Sequence, residues 1–175
     1  PGIYASGWNR LLGWPGRCFK GAGSPAIRAI SAFVFYECNT LKSVKLPDGI
    51  SEIFAGTFYS CTNLETVIMP DSLIKIRLSA FEKCTSLKNV IFGRNLRNIH
   101  GAAFAGCTSL KELTIPDTVR VIEQHAFANC TSLEKVTLSE NTFISRRIFY
   151  GCEKIHIYSS QTGNEITDWY NGITY

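Results

Sequence analysis

The chain has 175 residues, a net charge of +4 and 45% hydrophobic residues, enough for one domain with its own core. No run of five like charges occurs, which argues against a polybasic stripe for nucleic acid or a membrane surface. The most apolar stretch, Ala26–Tyr36, is short and contains Arg28, so it cannot span a bilayer.

Residues 1–24 hold Ile3, Tyr4, Trp8, Leu11, Leu12, Trp14 and Phe19 among glycines and prolines. They are expected to form an irregular N-terminal cap. An aromatic arm that binds a partner or a second copy, or a truncated extra repeat, are the other readings. The chain starts at Pro1 and shows no signal peptide, which suggests a processed or truncated form.

From about residue 25 to residue 158 the sequence repeats. Cys38, Cys61, Cys84, Cys107, Cys130 and Cys152 advance by 23 residues four times and then by 22. Phe35, Phe58, Phe81, Phe104, Phe127 and Phe149 keep the same steps. A fixed period of this length is the mark of a stacked-repeat solenoid, in which each turn buries its apolar face on its neighbours.

Within each turn, Val44, Val67, Val90, Leu113 and Val136 are followed two places on by Leu46, Met69, Phe92, Ile115 and Leu138. Alternation with a variable residue predicts a half-buried strand. Pro47, Pro70, Gly93, Pro116 or Ser139 then ends it, since proline cannot donate to a ladder. Pairs such as Ile50 and Ile53 mark the returning side, and Ala80-Phe81-Glu82-Lys83-Cys84 marks a corner. That corner is too short for a full helix, so a single 3₁₀ or α turn is expected there. Ile27 and Ile30 begin a worn first turn. At the other end, Ile155-His156-Ile157 is aligned with Val136-Thr137-Leu138. Residues 159–175 form the C-terminal cap, with a short helix over 164–170 whose Ile166, Trp169 and Tyr170 share one face.

The pattern C-x-x-L-x-x-V-x-L-P, closing on A-F-x-x-C, resembles the BspA-like, or treponemal, class of leucine-rich repeats; the segment Cys107–Cys130 is a close match. The resemblance covers residues 25–158 and implies an α/β-class solenoid, a right-handed curved coil of about six turns. Members of that family are typically surface or secreted proteins of host-associated microbes, and some serve adhesion. An extracellular or cell-surface location is therefore implied, with a protein partner such as a host matrix or cell-surface protein.

In this architecture the strand side is the concave surface. Its outward positions give two columns: Lys45, Ile68, Ile91, Thr114 and Thr137, with His156 as the last member, and Ser43, Thr66, Asn89, Glu112 and Lys135. Ile68 and Ile91 are apolar where the pattern does not require it. They are either ordinary strand formers on a wet face or a small greasy patch on a binding face near Lys45 and Glu112. A further column holds Asp48, Asp71, Arg94, Asp117 and Glu140, read as surface charge relief by Arg94 rather than a Ca²⁺ row.

Neighbouring in-register cysteines would hold their Cβ atoms about 4.8 Å apart, wider than a disulfide's usual ~3.8 Å. All six ladder cysteines are therefore expected to be free and buried. His100, His125 and His156 fall in different turns, with His100 near Arg77 and Glu123. The Asn129-Cys130-Thr131 sequon is explained by the repeat. No metal-ligand spacing, nucleophile elbow or phosphate loop is present. No catalytic residue, metal or cofactor is assigned. The chain reads as a non-enzymatic scaffold for protein–protein or matrix binding. Self-association into a dimer or array is the alternative, and a carbohydrate-binding module a third. If the Trp169 face plugs the last turn, Trp169→Ala will destabilise the protein by about 3–5 kcal/mol in chemical denaturation; an unchanged midpoint would remove that plug.

Overall fold

The computed structural model describes the backbone of Ile3–Tyr4 and residues 29–166. The bulk of the expected N-terminal cap, Ile27, Arg28, and Trp169 and Tyr170 of the expected C-terminal helix lie outside the described residues.

The described chain is a parallel β-solenoid. One face is made by β3 (Ser43–Lys45), β5 (Thr66–Ile68), β7 (Asn89–Ile91), β9 (Glu112–Thr114), β11 (Lys135–Leu138) and β13 (His156–Ser159). Five turns of the coil separate β3 from β13. The returning face is made by β2 (Ala29–Ile30), β4 (Glu52–Ile53), β6 (Lys75–Ile76), β8 (Asn98–Ile99), β10 (Val121–Ile122) and β12 (Phe143–Ile144), one continuous sheet. The short β1 (Ile3–Tyr4) lies parallel to β3, with Ile3 opposite Val44.

The interior follows the repeat. Val44, Val67, Leu113 and Val136 point inward and are buried, as are Leu46, Met69, Ile115 and Leu138. The phenylalanines stack in a column. Ring centroids are 4.9 Å apart from Phe35 to Phe58, 5.0 Å to Phe81, 5.1 Å to Phe104, 5.4 Å to Phe127 and 5.7 Å to Phe149. The rings stay within 7° of parallel until the last pair, which tilts by 22° where the repeat loses a residue.

The Phe-x-x-Cys spacing has a hydrogen-bonding cause. Phe58 C=O accepts the N–H of Cys61 in its own turn (3.2 Å) and the thiol of Cys84 in the next (3.1 Å). Phe81 C=O does the same for Cys84 N–H (3.2 Å) and the Cys107 thiol (3.3 Å). The Cys61, Cys130 and Cys152 thiols donate likewise to Phe35, Phe104 and Phe127. The carbonyls of Phe35, Phe58, Phe81 and Phe104 thus stitch their own corner and the next turn together. The alanine before the phenylalanine completes the stitch: Phe58 N–H donates to Ala80 C=O and Phe81 N–H to Ala103 C=O, both at 2.7 Å.

Two expectations are corrected here. First, the corners contain no helix among the described residues; they are runs of tight turns. A left-handed residue sits directly before each cysteine: Glu37, Ser60, Lys83, Gly106, Asn129 and Gly151. Another lies four residues earlier, at Phe33, Gly56, Ser79, Ala102, His125 and Arg147. Backbone in that region cannot continue a right-handed helical turn. Second, Cys38 is disulfide-bonded, while Cys61, Cys84, Cys107, Cys130 and Cys152 are free and buried. In-register spacing forbids pairing between ladder members only. Cys38 stands at the end of the ladder, and its partner sulfur lies outside the described residues.

The last turn also differs in register. Val136 pairs with Ile157 and Lys135 with His156, so only one residue is lost between Cys152 and the strand. Residues 164–166, expected as the start of a helix, instead run back beside β13. Glu165 forms an antiparallel bridge with Tyr158, and Ile166 N–H donates to Ile157 C=O at 2.7 Å.

Three tests follow from these corners. Ala102 holds φ at 52°, so Ala102→Gly should raise stability by about 0.5–1 kcal/mol in urea titration. Burial pushes the Cys61 thiol up to about 12 and raises Cys84 and Cys107 as well. A raised folded-state pKa means the native state keeps protons that the unfolded chain loses above about pH 8.5. The urea midpoint should therefore fall from pH 8 to pH 10, and fall less in Cys84→Ala. The five free thiols should react with a thiol reagent only on unfolding; rapid labelling of native protein would contradict their burial.

Candidate functional site

The strand face presents the two expected columns, joined in two blocks. In the first, Lys45 lies opposite Ile68 and Ile68 opposite Ile91, with Ser43, Thr66 and Asn89 in register beside them. In the second, Thr114 lies opposite Thr137, and Glu112 opposite Lys135. Ile68 and Ile91 are therefore direct cross-strand neighbours, and Ile91 keeps 54% of its surface exposed. Glu112 and Lys135 place opposite charges across the second block, a favourable arrangement on an exposed pair of strands.

The corrected register moves His156. It ends the column of Ser43 and Lys135, and Tyr158 takes the place expected for it, opposite Thr137. Lys135 Nζ lies 5.4 Å above the Tyr158 ring, a cation–π contact. His156 Nδ1 instead reaches Glu165 Oε1 at 2.7 Å. Tyr158 is absent from the expected columns because setting Ile155 opposite Val136 removes three residues after Cys152, where the register removes one.

Between the two blocks the strand face is open. β7 and β9 are the adjacent ends of two separate sheets. Most Cα–Cα pairs between these two strands exceed 8 Å, unlike those of hydrogen-bonded neighbours, whose strands lie about 4.8 Å apart. The returning face and the corner stay closed at the same level: Asn98 pairs with Val121, and Phe104 N–H donates to Ala126 C=O at 2.7 Å.

Two departures from the repeat account for the opening. Phe92 stands where Leu46, Met69, Ile115 and Leu138 stand in other turns, and its ring meets Phe104 edge-on at 5.8 Å. Gly93 replaces the proline of Pro47, Pro70 and Pro116. A Cβ on Gly93 would fall 1.9 Å from Pro70 O. Only glycine lets this turn lean so closely on the preceding one. Arg94 strengthens the lean, its N–H donating to Asp71 Oδ1 (2.8 Å) and its Nε to Oδ2 (3.0 Å). The backbone N–H of Arg94 is the largest cause holding the Asp71 carboxyl below its ordinary range. The turn is thus held towards β5, and beyond the strands it rejoins the next turn, where Thr118 Oγ1 donates to Arg94 C=O (2.8 Å) and Leu96 C=O (2.9 Å).

Elsewhere the contacts are structural. His100 Nδ1 lies 2.9 Å from Glu123 Oε1, whose other oxygen accepts Gly101 N–H at 3.0 Å. Arg77 joins Glu52 rather than His100, at 2.7 Å, and its hydrogen bonds hold the Glu52 carboxyl low. The corners of the first turns carry a second apolar patch. Tyr36 and Tyr59 stack at 5.2 Å, Lys83 Nζ lies 5.2 Å over Tyr59, and Phe33 and Leu78 are each 56% exposed.

The sequence profile described as BspA type leucine rich repeat region matches residues 28–156 in 6 copies. No curated protein matches the chain. Solved structures similar to it include three proteins of bacteria. A Treponema pallidum leucine rich repeat protein superposes with a TM-score of 0.73 at 28% identity, over 91% of this chain and 71% of that one. A leucine rich cell surface protein from Faecalibacterium prausnitzii A2-165 gives 0.66 at 30% identity, over 75% of this chain. The chain spans only 34% of that protein. The pneumococcal vaccine antigen PcpA gives 0.59 at 27% identity, over 70% of this chain and 31% of that one. With its repeats, its stacked Phe-x-x-Cys corners and its matched profile in agreement, the chain belongs to the BspA-type leucine-rich-repeat family.

Proposed function

We propose that this chain is a non-enzymatic binding scaffold that holds a protein partner, at the cell surface or outside the cell, on its strand face. The observation that carries the reading is the cross-strand pair Ile68 and Ile91, an apolar contact in an otherwise polar exposed column. Lys45, Thr66, Asn89, Glu112, Thr114, Lys135 and Thr137 surround it. Apolar side chains within a polar rim are the usual anatomy of a protein interface. A sheet preformed on a rigid coil also loses little ordering entropy on binding. The surface location is supported by the family and by the similarity to a leucine rich cell surface protein. Adhesion to host matrix or cell-surface proteins is the form of binding that the reading favours.

Self-association is the second reading. It rests on the corner patch of Phe33, Tyr36, Tyr59 and Leu78, where the exposed Phe33 ring meets Tyr36 edge-on and the half-buried Tyr36 and Tyr59 stack. Light scattering separates the two: a stable dimer or array that dissociates on Phe33→Ser/Leu78→Ser supports assembly through the corner.

The test of the primary reading is binding to a panel of matrix and cell-surface proteins. Ile68→Asp/Ile91→Asp should abolish saturable binding, by more than about tenfold in affinity, as expected when anchor residues of an interface are charged. Circular dichroism would show that the variant is folded. Binding that survives in the folded variant would place the interface elsewhere.

A further inference from the structure

The opening between β7 and β9 exposes backbone that every other junction of the strand face pairs. In parallel strands, alternate residues bond to alternate neighbours. Asn89 and Ile91 serve β5: Asn89 N–H donates to Glu65 C=O (3.1 Å), and Ile91 C=O accepts from Met69 N–H (2.9 Å). The N–H and C=O of Val90 therefore face the opening, with the N–H of Phe92. On the far lip, Lys111 C=O and Ile115 N–H serve β11, which leaves Glu112 and Thr114 facing the opening. The bonds that would close it, from Lys111 N–H and from Phe92 N–H, are absent among the described residues. The side chains agree. Val90 is only partly buried, whereas Val67 and Val136 are fully buried.

Charge marks what would fit. The column just before the strands reads Lys42, Glu65, Lys88, Lys111, Glu134. Glu65 bridges to Lys88 at 3.0 Å. The alternation of sign fails only across the opening, where Lys88 and Lys111 occupy neighbouring places. Like charges in such positions are unfavourable. One acidic residue between them would restore the alternation along the whole face.

Resting on the strand-face reading above, we propose that the opening between β7 and β9 is a docking slot for an extended segment of the partner protein, which adds a strand bonded to both lips. The occupant has an acidic residue level with Lys88 and Lys111. Two residues on, it has a β-branched apolar residue that points inward at Val90 and Leu113. Its next residue lies beside Ile91 and Thr114 on the outer face. This is strand addition, in which backbone bonds supply affinity and alternate side chains supply specificity. Unlike an outer edge, a slot offers two rows of partners. The pattern occurs within this chain itself, as Glu65-Thr66-Val67-Ile68.

The experiment uses a fluorescent peptide with the sequence of residues 62–71 and the intact protein. Anisotropy should show saturable binding, weakened about tenfold or more when the peptide's glutamate is replaced by lysine, as for loss of one charge-assisted contact. Hydrogen exchange should show fast amides at Val90, Phe92, Glu112 and Thr114 in the free protein, and protection of these when peptide is added. Thr114→Pro deletes a donor on the lip without touching the bonds to β11. It should weaken binding about tenfold while leaving the urea midpoint nearly unchanged. Phe92→Leu/Gly93→Pro restores the regular repeat and should abolish binding. Slow exchange at these amides in the free protein, or equal binding of the lysine peptide or by Thr114→Pro, would overturn the slot. If Ile68→Asp/Ile91→Asp still removes partner binding in that event, the strand face stands as the site without it.

Discussion

A single carbonyl per turn holds this solenoid in register. The C=O of Phe35, Phe58, Phe81 and Phe104 accepts the cysteine N–H of its own turn and the cysteine thiol of the next. Each ring stacks on the equivalent ring at about 5 Å. These contacts lock consecutive turns at the spacing that parallel strands require, and the ladders on both faces follow from that spacing. Cysteine suits the place because its thiol is small, tolerates burial and still donates weakly.

The same stitch explains the backbone of the corners. To aim the carbonyl along the coil axis and return the chain in a few residues, each corner uses two left-handed residues. In three of the six described corners neither is glycine, and in the other three only one is. Such conformations cost roughly 1–2 kcal/mol for an ordinary residue, and they persist because the buried core on either side fixes them. The repeat therefore carries local strain, which its packing offsets, in every turn.

Against so regular a background, departures stand out. The strand face is continuous except where Phe92 and Gly93 replace the residues used elsewhere. There the third turn leans on the second, and backbone donors and acceptors are left facing solvent. Where a row of equivalent turns differs at one level, a partner can be recognised at that level. The exposed Ile91 sits on the lip of this opening, so the greasy patch and the opening form one continuous feature of the face.

The sequence by itself determined the fold class, the inward and outward columns, and the burial of the phenylalanines and of the free ladder thiols. Each follows from a repeat that places identical side chains at identical heights. It also singled out Ile68 and Ile91 as unusual, and the structure places them side by side. The helix-free corners depended on φ values at residues such as Ser79, Lys83 and Ala102, whose side chains carry no signal for a left-handed backbone. The register of β13 turned on whether one residue or three are lost after Cys152; the two choices differ by two residues, keep the same face inward and set an isoleucine opposite Val136 either way, so hydrogen bonding rather than hydrophobic pattern settles it. The disulfide of Cys38 depended on what meets the end of the ladder, which no period encodes. The opening at β7 and β9 was visible in the sequence only as Phe92 and Gly93, two substitutions in a column. Only the tertiary structure decided that a larger ring within the coil and a missing Cβ against Pro70 would part the strands, because that outcome depends on how neighbouring turns share the space between them.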